Sequence, residues 1–576
     1  MKDILRLIGI KKNKIAPWSK YYEKEDMELN IPNTNVYKYF ENKVLNYNDK
    51  KCIDYYGYKV KYSELLTMID DLAKGLYEEG VRKGDIVSVC LPNTIEGITS
   101  FFAINKIGAV INFIHPAASE EEIKDSLNET NSKVLLIIDS NFLKLKSIEK
   151  KININKIILV NIYGYTPSLT KIRDKIDETV EINLLKSEKK YILWNFFLIK
   201  AKKKKIDNYI AEGEKEAPAM ILHSGGTTGT PKGVVLTNSN LLAYVEISMN
   251  AQKYLVSGDV FLTIMPIFHG FGIIYSVLFP LCIGMYIVLR PKFDAKEYCK
   301  LIKKYKPQVI TGVPTLFESL LKEWDDKEFK LDFLKCALVG GDTLKPLLRK
   351  RINSFFKKHG SDVRVLEGYG LSEAVCGVVQ GIKEFEKEDT IGIPLPGINV
   401  GIFDMNNKEV AYGQEGEICV CGPTVMKGYY NNQEETDLVL KIHKDGNLWL
   451  HTGDLGLMDE DGFVTYTSRL KRMIISSGYN VYPNRIEKII ESHPSVLRCT
   501  VVGVPHNRKI EVAKAFIILK KDKTKKDFII MDLKKLCKKN LPKYSWPYEY
   551  EFVDELPTTR VGKVDFRKLQ EGNKEE

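Results

Sequence analysis

Between Val60 and Ile138 the spacing of apolar residues changes period again and again. Helical patterns at Tyr62 to Glu79, Glu96 to Asn105 and Glu120 to Glu129 alternate with short, continuous apolar runs such as Ile86 to Leu91, which predict buried strands. That alternation is the mark of a parallel α/β sheet. It resumes with strands predicted at Gln308 to Thr311, Lys335 to Val339 and Val363 to Glu367, each expected to lead through a glycine or proline loop into a helix. Loops at the ends of such strands are where ligands bind. After Asn399 the texture becomes strand-rich, with Val400 to Phe403, Glu417 to Cys421 and a hairpin from Gly456 to Thr467 that turns at Asp459 to Gly462. Past Arg469 a smaller unit is expected. It has a helix opened by Pro483, strands at Cys499 to Val504 and Ala513 to Leu519, and a lysine-rich helix from Lys525 to Asn540. The pattern predicts an α/β fold with a large domain over residues 1–470 and a small one over 471–576, the boundary falling at Leu470 to Arg472.

Two segments need a choice. Gly270 to Leu289 carries no charge and approaches the length that spans a bilayer, but Pro280 and Gly284 break it. A buried helix followed by a buried parallel strand ending before Arg290 accounts for the same residues and is the expectation taken here. Residues 141–216 are rich in lysine and isoleucine, and within them the aromatic and aliphatic run Tyr191 to Ile199 is followed by lysines at 200 and 202 to 205. Two readings of that patch stand side by side: peripheral contact with an anionic membrane surface, or an apolar helix packed on the body with a solvated basic end.

Composition narrows the class. With 576 residues, 44% of them hydrophobic, the chain can bury a large core and should divide into domains. The net charge of +11 is spread along lysine-rich segments, which suits a protein that handles anions such as nucleotides. No zinc-ligand spacing, basic zipper or aromatic ribonucleoprotein motif supports a nucleic-acid partner. The 10 cysteines form no C-x-x-C pair, and Cys419 and Cys421 are spaced to share one strand face, as packing residues do. Reduced thiols and a cytoplasmic location are the simplest reading. The apolar stretch before Lys11 and Lys12 is too short for a secretion signal.

The densest candidate chemistry lies in Ser224-Gly225-Gly226-Thr227-Thr228-Gly229-Thr230-Pro231-Lys232-Gly233, after the apolar Met220 to Leu222. Glycines let backbone N–H groups approach phosphate oxygens, hydroxyls add donors and the lysine adds charge. The spacing is not that of a Walker loop. Further along stand Glu367-Gly368-Tyr369-Gly370-Leu371-Ser372-Glu373, then Leu450-His451-Thr452-Gly453-Asp454, then Ser468-Arg469-Leu470-Lys471-Arg472. Ser477 to Pro483 and Pro557-Thr558-Thr559-Arg560-Val561-Gly562-Lys563-Val564 complete the series. Gly370-x-Ser372-x-Ala374 also imitates the nucleophile elbow of α/β-hydrolases, which would make Ser372 an esterase nucleophile partnered by His443, His451, His493 or His506.

Taken together and in this order, the motifs resemble those of the adenylate-forming superfamily, which includes acyl-CoA synthetases, peptide-synthetase adenylation domains and luciferase. The resemblance spans about residues 35 to 570. It implies a large N-terminal domain of two α/β subdomains plus a distorted β-barrel, and a small, mobile α+β C-terminal domain. It also implies roles. Ser224, Thr227, Thr228, Gly229 and Lys232 hold the β and γ phosphates of ATP, and Gly341 is a further ATP contact. Tyr369 lies along adenine, Ser372 meets the α-phosphate and Glu373 holds Mg²⁺; serine replaces the family's threonine at 372 and keeps its hydroxyl. Asp454 and Arg469 bind the ribose, Lys471 is the hinge, and Gly478 and Tyr479 line the tunnel for CoA. Ser468 stands where acyl-CoA synthetases usually carry aspartate. Lys563 serves adenylation, His269 sits beside the acyl carboxylate, and Gly312, Val313 and Gly340 leave room for the acyl tail.

The implied reaction is ATP-dependent activation of a carboxylic acid to an acyl-adenylate, then transfer to CoA. Within the superfamily the chain is most similar to long-chain fatty acid CoA ligases, by the doubled glycine of His223 to Gly229 and the patch at 191–205. A medium-chain or aryl acid, or an adenylate handed to another acceptor, are the alternatives. Peptide-synthetase chemistry fits less well, since no aspartate occurs within Ile267 to Phe271, and luciferase chemistry would want a lysine where Ile475 stands.

Overall fold

A computed structural model describes residues 16–166, 190–204, 206–224, 232–383, 385, 387–476, 479–506, 510–520, 526–558 and 564–571, with backbone alone for Lys471, Ile475, Tyr479, Asn480, Ile510, Lys526 and Arg567. The chain forms two compact units, Met1–Asn399 with Val420–Leu450, and Val400–Cys419 with His451–Glu576.

The first unit is built on two sheets. One has nine strands in the order Ile393–Pro394, Gly377–Gln380, Val365–Gly370, Cys336–Gly340, Val309–Gly312, Val260–Thr263, Tyr286–Leu289, Lys51–Tyr55 and Tyr58–Lys61. From Val365–Gly370 to Lys51–Tyr55 every neighbouring pair runs parallel, and the flanking strands on both sides are antiparallel. The other has eight, in the order Gly428–Tyr429, Gly233–Thr237, Pro218–His223, Val110–Phe113, Ile86–Cys90, Val134–Ile138, Lys156–Val160 and Tyr191–Leu193. Ile86–Cys90 is buried at every position, as the uninterrupted apolar run requires of a central parallel strand.

Local signals set the helix ends. In Ile95–Ile107, the Thr94 hydroxyl accepts from Gly97 N at 3.1 Å, and Gly108 closes the helix in the left-handed conformation with φ of 78°. Ser119 and Glu122 form a reciprocal capping box ahead of Glu120–Thr130. The charge-free segment from Gly270 is a buried π-helical stretch, Phe271–Leu278, running into Phe279–Cys282 and then the buried strand Tyr286–Leu289. Ser276 Oγ donates to Phe271 O at 2.8 Å and Thr263 Oγ1 to Ser276 O at 2.9 Å, satisfying carbonyls inside that helix. Among the described residues no helix is long and apolar enough to cross a membrane.

In the second unit, Tyr479–Val481, Ile474–Ser476, Ile510–Leu519 and Val496–His506 form a sheet, with Glu549–Phe552 added parallel to Ile510–Leu519. Pro483–Glu491, Lys526–Asn540 and Phe566–Glu571 are helices of this unit, and Ile486, Ile490, Val501, Ala515, Ile517 and Leu533 belong to its core. The strand Leu448–Met458 turns through Asp459 to Gly462 into Val464–Arg469, as the hairpin pattern predicts. Both belong to a five-stranded half-barrel sheet that stands where a distorted barrel is expected.

One expectation fails. Val365–Gly370 does not lead into a helix; a single 3₁₀ turn, Ser372–Ala374, returns the chain as the antiparallel strand Gly377–Gln380. Val375 closes that turn at φ of 69°, a conformation a β-branched residue adopts only when its surroundings impose it. A nucleophile elbow needs strand, turn and helix in succession, so the hydrolase reading of Ser372 loses its scaffold.

The patch at 191–205 is the strand Tyr191–Leu193 and the helix Trp194–Lys202, with Lys205 outside the described residues. Trp194, Phe197, Leu198 and Ala201 are buried, and the Phe197 ring packs so closely on Gly75 of the helix Tyr62–Glu78 that a β-carbon there would meet it at 2.5 Å. Phe196 and Ile199 stay exposed. The packed helix and the exposed apolar and basic surface are thus two faces of one element.

A buried acid gives a measurable consequence. Glu96 lies in the first turn of Ile95–Ile107, and its Oε2 has no hydrogen-bond partner among the described residues. Burial pushes its carboxyl pKa from 4.5 up to about 7. The native state therefore binds this proton more tightly than the unfolded chain does. Glu96 costs nothing below the unfolded pKa, and stability is lost as pH rises through 7 and the buried carboxylate forms, by about 3 kcal/mol at 1.36 kcal/mol per unit. Glu96→Gln cannot ionise, so its thermal midpoint should stand above that of the unsubstituted protein at pH 8 and converge on it as pH falls to 4, below the unfolded pKa of 4.5; a constant gap would refute this.

Candidate active site

The strands Pro218–His223 and Gly233–Thr237 pair antiparallel, and Ser224 N donates to Lys232 O at 2.9 Å, so the Gly/Thr-rich segment is held at its base as a hairpin. Residues 225–231, and with them Thr227, Thr228 and Gly229, lie outside the described residues. His223 stands just before the segment, with Nε2 2.8 Å from Asn112 Oδ1, and burial drives its pKa down to about 4. It is a neutral structural anchor at physiological pH.

Lys232 emerges beside two residues that the motifs do not include. Its ammonium forms an ion pair with Glu435, in the helix Gln433–Val439, and lies 5.0 Å from the centre of the Tyr429 ring. Tyr429 in turn donates its hydroxyl to Glu373 Oε1 at 2.9 Å, and burial together with the Glu373 charge raises the phenol pKa. Met426 N donates to Glu373 O at 2.8 Å, fixing the backbone as well. One aromatic residue therefore touches both the lysine assigned to phosphate and the carboxylate assigned to Mg²⁺. Sequence spacing hides this, because Tyr429, on a two-residue strand paired to Gly233–Thr237, is nearly 200 positions from Lys232.

A carboxylate with one oxygen fixed by a phenol is a hard donor of the kind Mg²⁺ takes when substrate phosphates and water complete its shell. Glu373 fits that role.

Tyr369 stands at the carboxyl end of Val365–Gly370, opposite Val379, and Ser372 opens the 3₁₀ turn after it. The same turn is locked against the His269 segment. A β-carbon on Gly270 would lie 1.8 Å from Val375 O, so the two backbones can approach only through glycine. His269 is thereby brought to the Ser372–Val375 turn, its N donating to Pro266 O at 3.1 Å and its ring 4.9 Å from that of Phe268. Asn93 clamps this segment from the other sheet, donating Nδ2 to Met265 O at 3.0 Å and accepting from Ile267 N at 2.9 Å.

The acyl-pocket candidates also converge. Gly312 and Gly340 end adjacent parallel strands, in register Gly312↔Val339. A β-carbon on Gly340 would touch the Phe271 ring at 3.4 Å, and one on Gly341 would be 3.6 Å from Val313 Cγ1. Glu367, which begins the second motif, has a structural task instead: buried, it pairs with Arg349 and accepts from Leu344 N at 2.9 Å, holding the loop after Gly341.

In the second unit Asp454 and Arg469 face each other across the hairpin, and Arg469 Nε donates to Asp454 Oδ1 at 2.8 Å. Asp454 is only 2% exposed. Ser468, which replaces the usual aspartate, is fully buried and its Oγ reaches no further than Arg469 O at 3.5 Å. Lys471 sits in the 3₁₀ turn Leu470–Arg472, and the neighbouring Arg472 ties that turn to the helix Pro483–Glu491 through Glu487 at 2.7 Å and Asn484 at 3.0 Å. Tyr479 pairs with Ser476 through its backbone; Gly478 and Lys563 lie outside the described residues. Next to the latter, Thr558 and Val564 form an antiparallel bridge.

These positions can be set beside known proteins. The AMP-binding enzyme family matches residues 40–430, and the AMP-binding enzyme C-terminal domain matches 485–563. A long-chain-fatty-acid–CoA ligase of Bacillus subtilis (strain 168) is 32% identical over 559 residues, covering 96% of this chain and 98% of that protein. A long-chain-fatty-acid–CoA ligase of Escherichia coli O157:H7 is 31% identical over 551 residues, covering 92% and 93%. Among solved structures, ATP-bound MatB from Rhodopseudomonas palustris matches with a TM-score of 0.81 at 24% identity, over 94% of this chain and 99% of that one. A benzoate CoA ligase from Burkholderia xenovorans LB400 matches with a TM-score of 0.77 at 20% identity, over 93% and 99%. The last two speak to the fold alone. The sequence match over most of the chain makes it a member of the AMP-binding enzyme family.

Proposed function

We propose that this protein is an AMP-forming ligase that activates a fatty acid, of long chain, as an acyl-adenylate and transfers it to CoA. The observation that carries the reading is the Lys232–Tyr429–Glu373 cluster at the strand ends of a chain similar along its length to two long-chain-fatty-acid–CoA ligases.

The first half-reaction sets two anions against each other, since a carboxylate attacks the α-phosphorus of ATP. Lys232 meets the β and γ phosphates, Ser372 the α-phosphate, and Lys563 the charge that develops as pyrophosphate departs. Glu373 holds Mg²⁺, which supplies charge neutralisation of the phosphates. Asp454 and Arg469 fix the ribose and Tyr369 lies on the adenine, so binding energy remote from phosphorus positions the reacting centre. His269 borders the carboxylate, and the tail runs past Gly312, Val313 and Gly340. A thiol must later occupy the place of Lys563, so the small domain, residues 471–576, turns about Lys471 and presents Gly478 and Tyr479 to the pantetheine arm.

The direct test is product identification by mass spectrometry after incubation with Mg-ATP and fatty acids of graded length, with and without CoA. Acyl-CoA from long chains is expected. Adenylate without thioester would refute the CoA step, and a preference for aryl or medium-chain acids would refute the chain-length assignment.

The two half-reactions separate by mutation. Lys563→Ala should slow pyrophosphate release on the order of 100-fold or more, the effect of losing about 2.7 to 4 kcal/mol of transition-state stabilisation. Lys471→Pro should still release pyrophosphate yet fail to make thioester. Equal loss in both halves for Lys471→Pro would refute the hinge.

The exposed Phe196 and Ile199, with Lys200 and Lys203 beside them, support contact with an anionic bilayer where a long-chain acid is collected. Co-sedimentation with phosphatidylglycerol vesicles should fall several-fold in a Phe196→Ser, Ile199→Ser variant while turnover of soluble acid is kept. Unchanged sedimentation would refute it.

A further inference from the structure

Glu417 and His451 belong to no assigned role, yet they stand against the turn that carries Asp454. Glu417 lies in the strand Gly416–Cys421 and is partly buried; His451, in Leu448–Met458, is 7% exposed. His451 Nδ1 is 2.7 Å from Glu417 Oε2, and Gly453 N donates to the other oxygen, Oε1, at 2.9 Å. An ionised carboxylate only accepts, so the proton of the first bond sits on Nδ1. Thr452 Oγ1 donates to Ile418 O at 2.6 Å and accepts from Asp454 N at 3.1 Å. Gly453 is at φ of 71°. The backbone of the Thr-Gly-Asp turn is thus pinned at three successive residues, with one carboxylate bridging the imidazole and the turn's own N–H.

We propose that Glu417, oriented by His451, is a positioning residue that sets the aim of Asp454 and thereby the enzyme's discrimination for the ribose of ATP. The proposal rests on the reading of Asp454 as a ribose ligand. A carboxylate that must accept from two vicinal hydroxyls has to be held in one orientation, because a small rotation keeps one bond and loses the other. Arg469 fixes one oxygen of Asp454 from across the hairpin. The side-chain end is therefore anchored by Arg469 and the main-chain end by Glu417. Cys419 Sγ lies within 4.8 Å of the same Glu417 and His451 donors, a set that zinc also accepts, so the test must separate a hydrogen-bonded anchor from a metal site.

The readout is the ratio of kcat/KM for ATP to that for 2′-deoxy-ATP, with thermal midpoints recorded for every variant. His451→Phe, which removes the Nδ1 donor, should lower that ratio about 10-fold and raise the KM for ATP, with the KM values for CoA and acid unchanged, an effect of the size of one charge-assisted hydrogen bond. His451→Asn, whose amide places a donor near the Nδ1 position, should restore the ratio to within about two-fold. Asp454→Ala serves as the reference. If it abolishes the ratio while His451→Phe leaves it intact, the positioning role is overturned. If Asp454→Ala also leaves the ratio intact, the ribose reading falls and takes this proposal with it. One equivalent of zinc retained by the purified enzyme and lost in His451→Phe would overturn it in favour of a metal site.

Discussion

Strands buried on both faces leave the chain almost nowhere to present polar chemistry except at their ends, and this constraint organises the first unit. Ile86–Cys90, Val309–Gly312 and Cys336–Gly340 are buried at every residue. Their flanks cannot offer a hydroxyl or carboxylate to a ligand without leaving it unsolvated. The residues proposed to bind ligand accordingly lie where the strands stop: Gly312 and Val313, Gly340 and Gly341, then Tyr369, Ser372 and Glu373. The neighbouring sheet contributes through Asn93, just beyond Ile86–Cys90, which clamps the main chain ahead of His269. Glycine at 270 is needed because two such strand-end segments, one from each side of the cluster, come together backbone to backbone.

The second organising feature is the pairing of site charges in the absence of a polyanion. Lys232 faces Glu435, Glu373 accepts from Tyr429, and Arg469 faces Asp454. In a chain whose net charge is already +11, a counter-ion beside a partly buried lysine limits repulsion. With Glu435 as counter-ion, the Lys232 ammonium is held over the Tyr429 ring. A triphosphate at the place proposed for it would offer Lys232 more negative charge than one half-exposed carboxylate, so exchange toward it would be downhill. Tyr429 links the two, its ring beneath the Lys232 ammonium and its hydroxyl on Glu373 Oε1.

How much of this was legible beforehand depended on the range of the interaction. Helices with their own caps, such as Ile95–Ile107 behind Thr94 and Glu120–Thr130 behind Ser119, could be read to within a residue or two, because their signals are local. Asp454 and Arg469 are each singled out by the motif resemblance, and the register of one hairpin sets them opposite each other. The course of the chain after Val365–Gly370 was not legible in this way. Apolar runs followed by glycine usually open a helix in such folds. Here the turn reverses: Gly370 lets the returning chain approach at Cys376, Val375 takes a positive φ against Gly270, and Met426 N holds Glu373 O from a distant segment. Tyr429, Glu435 and Glu417 carry no signal of their own in the sequence for the same reason: each looks like an ordinary strand or helix residue until the tertiary structure sets it against a motif.

That difference bears on what a motif is. Thr452-Gly453-Asp454 supplies a carboxylate, but in water a three-residue turn samples many orientations, and fixing one costs on the order of 1–2 kcal/mol per residue of backbone entropy. The bonds from Gly453 N to Glu417, from Thr452 Oγ1 to Ile418 O and from Asp454 N to Thr452 Oγ1 meet that cost when the protein folds, not when ATP arrives. The same reasoning covers Glu373, held by Tyr429 through its side chain and by Met426 through its carbonyl. In both units the residue that a sequence pattern singles out brings the polar group, and residues elsewhere in the chain fix its direction.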